Sequence, residues 1–226
     1  HTRCSRDWSS DVCSSDLSMA RWLSARGAVV TAADTRAQPP HAARLARELP
    51  QVAIECGAIR EDSLRSTELI AISPGVDRRD PAIAAAVKRG TAIAGDVELF
   101  AQALPQTAAR PGVIAITGTN GKSTVTQMAG DICAAAGRTT VVAGNIGTPV
   151  LDALDAAERG GGLPDVFVLE LSSFQLESTA SLNADAAAML NVSEDHLDRY
   201  DGIDDYARAK QRIFFGSGAQ VLNRED

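Results

Sequence analysis

The chain has 226 residues, enough for one or two domains, and 45% of them are hydrophobic against 23% charged, which supplies the apolar material for buried cores. A formal net charge of -7 argues against a nucleic-acid partner held by phosphate neutralisation, and no apolar run approaches the roughly 20 residues that a membrane-spanning helix needs. Four scattered cysteines without metal-ligand spacing suit a reducing compartment, so a cytoplasmic protein that binds neither membrane nor nucleic acid is expected.

The first seventeen residues, HTRCSRDWSSDVCSSDL, hold two of the four cysteines, one of the two tryptophans and five serines, without helical or strand period. They lack the order of a secretory signal and read as a non-native or disordered tract over residues 1–17. From Ser18 helix and strand alternate. Met19, Trp22 and Leu23 recur at helical spacing before Gly27, and Ala28 to Ala33 is a short strand closed by Asp34-Thr35-Arg36. A helix over 41–49, strands over 51–55 and Leu69 to Ser73, a helix over 81–89 and a strand over 91–94 follow. This alternation implies parallel pairing through crossovers, a small Rossmann-like domain over 18–107 that ends in a helix from Asp96 to Leu104. Pro105 to Pro111 loses periodicity and reads as a linker.

A second α/β domain over 108–226 is expected to be a P-loop-type parallel sheet, with strands at Val113–Thr117, Thr139–Ala143, Asp165–Leu171, Ala184–Val192 and Ala219–Asn223. The chain stops directly after the last of these and reads as a fragment, with the second domain incomplete. After its first strand comes Gly118-Thr119-Asn120-Gly121-Lys122-Ser123-Thr124, and a helix from Val125 to Ala136. A strand, a glycine-rich turn and a helix N-terminus bring backbone N–H groups, a lysine and hydroxyls to one point, which is a phosphate cradle. Lys122 would neutralise phosphate and Ser123 or Thr124 would offer a hydroxyl to Mg2+. The spacing departs from GxxxxGK[ST], because Ile116 stands at the first glycine.

Open parallel sheets bind ligands at the carboxyl ends of their strands. Asn145, Glu170 with Ser172 and Ser173, and Asn191, Glu194, Asp195 and His196 all follow strands there. Glu170 reads as a Mg2+ ligand, against a solvated strand end, because that ion takes hard oxygen ligands alongside phosphates. His196 gains a metal or phosphate role only from its place at the rim. Asn145 is open between a ligand contact and a left-handed turn residue, and Lys210, on a helix, reads from sequence as a solvated surface lysine.

At Gly118 to Thr124, Gly144 to Gly147, LELSSFQLE over 169–177, Asn191 to Tyr200 and Ala209 to Ile213 the chain closely resembles the Mur ligases, and among them the D-glutamate-adding type. Asp34-Thr35-Arg36, Ser73-Pro74-Gly75 and GDVELF over 95–100 agree. The resemblance implies an ATP- and Mg2+-dependent ligase of peptidoglycan synthesis, a monomer, that joins D-glutamate to UDP-N-acetylmuramoyl-L-alanine through an acyl phosphate. It gives Glu170 and His196 to metal, Lys210 to a carbamate that also binds metal, and Lys122, His196 and Lys210 to catalysis. It gives Asp34, Thr35, Arg36, Ser73, Pro74, Gly75, Asn145 and Ser172 to the UDP-sugar substrate. The family's first strand and glycine-rich turn should precede Ser18 and are missing from this reading, and the rest of the central domain and the C-terminal domain that helps bind ATP and D-glutamate are expected to be absent, so the fragment is expected to be inactive alone. A folylpolyglutamate synthase-like ligase and a non-catalytic nucleotide-binding module are the alternatives.

Overall fold

Residues 2–6, 12–105, 110–196 and 198–224 are described by the structure, a computed structural model. They form two compact units, His1–Asp96 and Val97–Asp226. In the first, β1 (Thr2–Arg6), β2 (Val30–Asp34), β3 (Ala53–Cys56), β4 (Leu69–Ile72) and β5 (Ala92–Ala94) make a parallel sheet of order β3-β2-β1-β4-β5. Its helices are α1 (Val12–Ala25), α2 (Ala42–Glu48) and α3 (Pro81–Lys88).

The expectation of a domain without its first strand is corrected here. Thr2–Arg6 is the central strand, with Cys4 in register with Ala32 on one side and Ala71 on the other, and α1 begins at Val12, inside the tract set apart as structureless. Backbone ladders ask nothing of side-chain identity, so a segment without an apolar pattern is invisible to periodicity and still pairs. The rest follows the apolar spacing. Leu17, Met19, Ala20 and Leu23 bury one face of α1. Asp80 accepts from the N–H groups of Ala82 and Ile83 at 2.9 and 3.3 Å and starts α3 ahead of Pro81. Ile83 and Ala86 then pack on Ile70 and Ile72.

The second unit begins with most of α4 (Asp96–Ala103), so the boundary falls earlier than the expected 107/108. The reason is packing. Phe100 meets Phe167 edge to face at 5.1 Å, and the buried Glu98 carboxylate accepts from the N–H groups of Ala180 and Ser181 at 2.6 and 2.9 Å and from the Ser181 hydroxyl at 2.8 Å. The linker expected over 105–111 falls largely on 106–109, outside the described residues.

The sheet of this unit contains β6 (Gly112–Thr117), β7 (Thr140–Gly144), β8 (Val166–Glu170), β9 (Ala186–Met189) and β10 (Ala219–Leu222), all parallel, in the order β10-β9-β6-β8-β7. Its further helices are α5 (Lys122–Ala135), α6 (Val150–Arg159), α7 (Ser173–Glu177) and α8 (Ile203–Gln211). The sequence reading passed over α6, although Val150, Leu151, Ala153 and Leu154 are its buried face. β6 runs between β8 and β9, the chain leaving it first toward the β7 edge and later returning on the other side. That switch opens a crevice at the carboxyl ends of β6, β8 and β9. Among the described residues no helix is long and apolar enough to cross a membrane.

Candidate functional site

The crevice is floored by the turn that joins β6 to α5. Thr117 closes β6 by donating its buried hydroxyl to the Leu171 carbonyl at 2.7 Å. Gly121 sits at the start of α5 in the left-handed conformation, φ 78°, which a side chain would strain. It contributes no side-chain cap, so the first turn of α5 presents its N–H groups to the crevice. Ser123 and Thr124 are exposed, and Lys122 lies half-buried with Nζ donating to the Thr119 carbonyl at 2.9 Å. The sequence-expected cradle residues are thus gathered on one turn.

Glu170 ends β8 beside Ile116 of β6 and is 1% exposed. Its Oε1 accepts from Asn145 Nδ2 at 3.0 Å, while its buried Oε2 has no partner. Asn145 also donates its N–H to the Glu170 carbonyl at 2.8 Å. The left-handed turn reading of Asn145 is excluded, because Gly144 and Gly147 take the positive φ angles and His196 is the sole non-glycine residue with one among the described residues. A Cβ on Gly144 would stand 2.2 Å from the Glu170 carbonyl oxygen, so only glycine lets these two strand ends approach. Ser172 caps α7, accepting from the Gln175 N–H at 3.2 Å while Gln175 Oε1 accepts from the Ser172 N–H at 3.1 Å.

His196 is exposed, with φ 52°, its N–H donating to Asp195 Oδ1 at 2.9 Å and its ring 4.8 Å from that of Phe174. Lys210 differs from the surface lysine its sequence suggested. It is 1% exposed, donates to the Gly118 carbonyl at 2.8 Å and lies 4.5 Å over the Tyr206 ring. Burial, then the positive charge of Lys122, pull its pKa down to about 7, with Asp195 opposing. The missed signal was the stripe Tyr206, Ala209 and Ile213, all buried, into which Lys210 falls at helical spacing from Tyr206. Among the described residues no group of three or more His, Cys, Asp or Glu side chains forms a metal cage.

The first unit assembles its own rim. Arg36, after β2, donates Nε and its N–H to Asp34 Oδ1, both at 2.9 Å, and Nη2 to Oδ2 at 2.5 Å, with Thr35 between them. Ser73, after β4, is buried and donates to Asp16 of α1, with Pro74 and Gly75 in the turn that the Val76 N–H closes onto the Ser73 carbonyl. A cavity of about 50 Å3 lies beneath, lined by Asp16, Leu17, Asp34, His41 and Leu45 among others.

Two family models match this chain: "Mur ligase MurD-like, N-terminal domain" over residues 12–95 and "Mur ligase middle domain" over residues 116–226. The chain belongs to the Mur ligase family. Curated relatives include the UDP-N-acetylmuramoylalanine--D-glutamate ligases of Thiobacillus denitrificans, 58% identical over 93% of this chain and 47% of that protein, and of Chromobacterium violaceum, 54% identical over 94% and 46%. The chain therefore spans about half the length of the curated relatives it matches. Among solved structures, the UDP-N-acetylmuramate-alanine ligase of Thermotoga maritima aligns with all of this chain and 49% of its own at a TM-score of 0.54 and 20% identity, a likeness of fold. The first family model takes in residues from 12 onward, and so the last part of the tract that composition had set apart as non-native.

Proposed function

We propose that this chain supplies the UDP-sugar-binding and ATP-binding domains of a ligase that joins D-glutamate to UDP-N-acetylmuramoyl-L-alanine in peptidoglycan synthesis, acting as a cytoplasmic monomer. The observation that carries the reading is the buried Glu170 oxygen without a partner at the strand end beside the phosphate turn. A carboxylate oxygen desolvated in this way is costly unless a cation meets it. Relatives 58% and 54% identical carry the matching name.

In this reading Gly118 to Thr124 cradle the ATP phosphates, and Lys122, with N–H donors left after its bond to Thr119, meets them with charge. Asp34, Thr35, Arg36, Ser73, Pro74 and Gly75 hold the UDP-sugar, and Asn145 and Ser172 face its peptide end. The substrate carboxylate takes the γ-phosphoryl group from ATP, the D-glutamate amine then attacks the acyl carbon, and phosphate leaves as the amide forms. Carboxylate and triphosphate are both anions, so the site must concentrate positive charge. Glu170, His196, Ser123 and a carbamate on Lys210 would hold Mg2+, which when bound supplies that charge. CO2 adds to a neutral amine with loss of one proton, and a lysine whose pKa is about 7 offers that amine at neutral pH.

Calorimetric titration tests the proposal. ATP and UDP-N-acetylmuramoyl-L-alanine are each expected to bind, with Lys122→Ala weakening only the first and Arg36→Ala only the second. Absence of heat with either ligand on the folded chain refutes it.

A further inference from the structure

The phosphate turn is not held by its own glycines. Asn191, just past β9, accepts on Oδ1 from the N–H groups of Thr119 and Asn120 at 3.1 and 2.8 Å and donates Nδ2 to the Asn120 carbonyl at 3.0 Å. Its own carbonyl takes the Thr119 N–H as well, at 2.9 Å. Two residues on, Ser193 completes a second latch, its N–H donating to Thr119 Oγ1 at 3.0 Å and its carbonyl accepting from that hydroxyl at 3.3 Å. An acceptor and a donor on one short stem are what an asparagine amide provides and a carboxylate or hydroxyl does not combine in the same way.

We propose that Asn191 is a positioning residue that presets the Gly118 to Gly121 turn for nucleotide phosphates and decides which of its N–H groups meet them, an inference that rests on the nucleotide reading above. The Thr119 and Asn120 N–H groups are satisfied within the protein, so the anion is left to those of Gly121, Lys122, Ser123 and Thr124 at the start of α5. The same latch sets both cations. Lys122 anchors on the Thr119 carbonyl and Lys210 on the Gly118 carbonyl, so a turn that moved would carry both ammonium groups with it. A glycine-containing turn otherwise loses freedom when it closes on a ligand, which weakens binding.

The test combines calorimetry with Mg-ADP and amide hydrogen exchange on the full chain. Asn191→Ala is expected to weaken ADP about tenfold and to speed exchange at Asn120 more than at Thr119, whose N–H keeps the main-chain carbonyl of residue 191, while the β6 and β8 amides stay protected, a local signature that general destabilisation does not produce. Asn191→Asp keeps the size and the Oδ1 acceptor of both N–H groups but loses the donor to the Asn120 carbonyl, and an intermediate loss of affinity with retained protection at Asn120 is expected. If Asn191→Ala fails to fold, the aspartate variant decides alone, and wild-type affinity there overturns the proposal. Wild-type protein that binds no ADP overturns the nucleotide reading and this inference together. Wild-type protein that binds ADP alongside an Asn191→Ala variant that binds it equally well overturns this inference only.

Discussion

Lys210→Met should abolish a specific pH dependence of stability. The amine is 1% exposed among Tyr206, Gly118 and the second unit's core, and burial followed by the charge of Lys122 lowers its pKa from 10.5 to about 7. In the unfolded chain the same amine titrates near the ordinary lysine value of 10.5. Between these values the unfolded state holds a proton that the folded state has released, so stability rises with pH, by about 1.4 kcal/mol per pH unit. Going from pH 7, where the folded amine is half protonated, to pH 9 should therefore stabilise the wild type by about 2.3 kcal/mol relative to Lys210→Met, which has nothing to titrate. Below pH 7 the folded amine is protonated too and the slope fades. Loss of the bond to the Gly118 carbonyl shifts the variant by about 1 kcal/mol at every pH and leaves the slope untouched. Tyr206 lies under the Lys210 amine and Tyr200 packs on Tyr206, and both tyrosines of the chain belong to the second unit, so urea unfolding followed in the tyrosine near-ultraviolet band reports the relevant unit. Parallel stability curves for the two proteins from pH 6 to 9 refute the reasoning.

Glu98→Gln should destabilise the second unit by about 1–2 kcal/mol, because charge-assisted bonds to the Ala180 and Ser181 amides become neutral ones. Burial alone would raise this carboxyl, but hydrogen bonds from Ala180, Ser181 and Gln102 outweigh it and hold the pKa below 4.5, so the difference from wild type should persist above that pH and close as pH falls through the folded value. Equal urea midpoints for the two proteins at pH 7 count against this. Gly144→Ala, whose Cβ meets the Glu170 carbonyl at 2.2 Å with φ at +119°, should cost about 3 kcal/mol or more, whereas Gly137→Ala, at φ +76° with open space around it, should cost only about 1–2 kcal/mol of backbone strain. Similar melting temperatures for the two would refute the close-approach argument. Arg36→Lys should weaken a uridine nucleotide about tenfold with little change in melting temperature, since lysine cannot reproduce the bidentate grip on Asp34 that orients the turn; unchanged affinity removes Arg36 from the site.

How far the sequence reaches is clearest at particular residues. Both α/β units, the strands β4 and β6 and the turn after β6 follow from apolar runs and glycine placement, since the local pattern there coincides with what tertiary packing rewards. The sequence by itself also determined that Asn145, Glu170 and His196 belong to strand ends, because parallel crossovers force every carboxyl end to one rim. Tertiary structure alone decided the rest. It made a central strand of Thr2–Arg6, whose place comes from backbone ladders on both sides and not from side-chain pattern. It joined α4 to the second unit through Glu98 and Phe100, contacts with partners some 65 to 85 residues away along the chain. It also took Lys210 out of water and set it on a carbonyl 92 residues distant, which turned a surface charge into an amine near neutrality. Periodicity records which side of an element is buried, but only the fold supplies the dielectric and the neighbours that set what a buried group does.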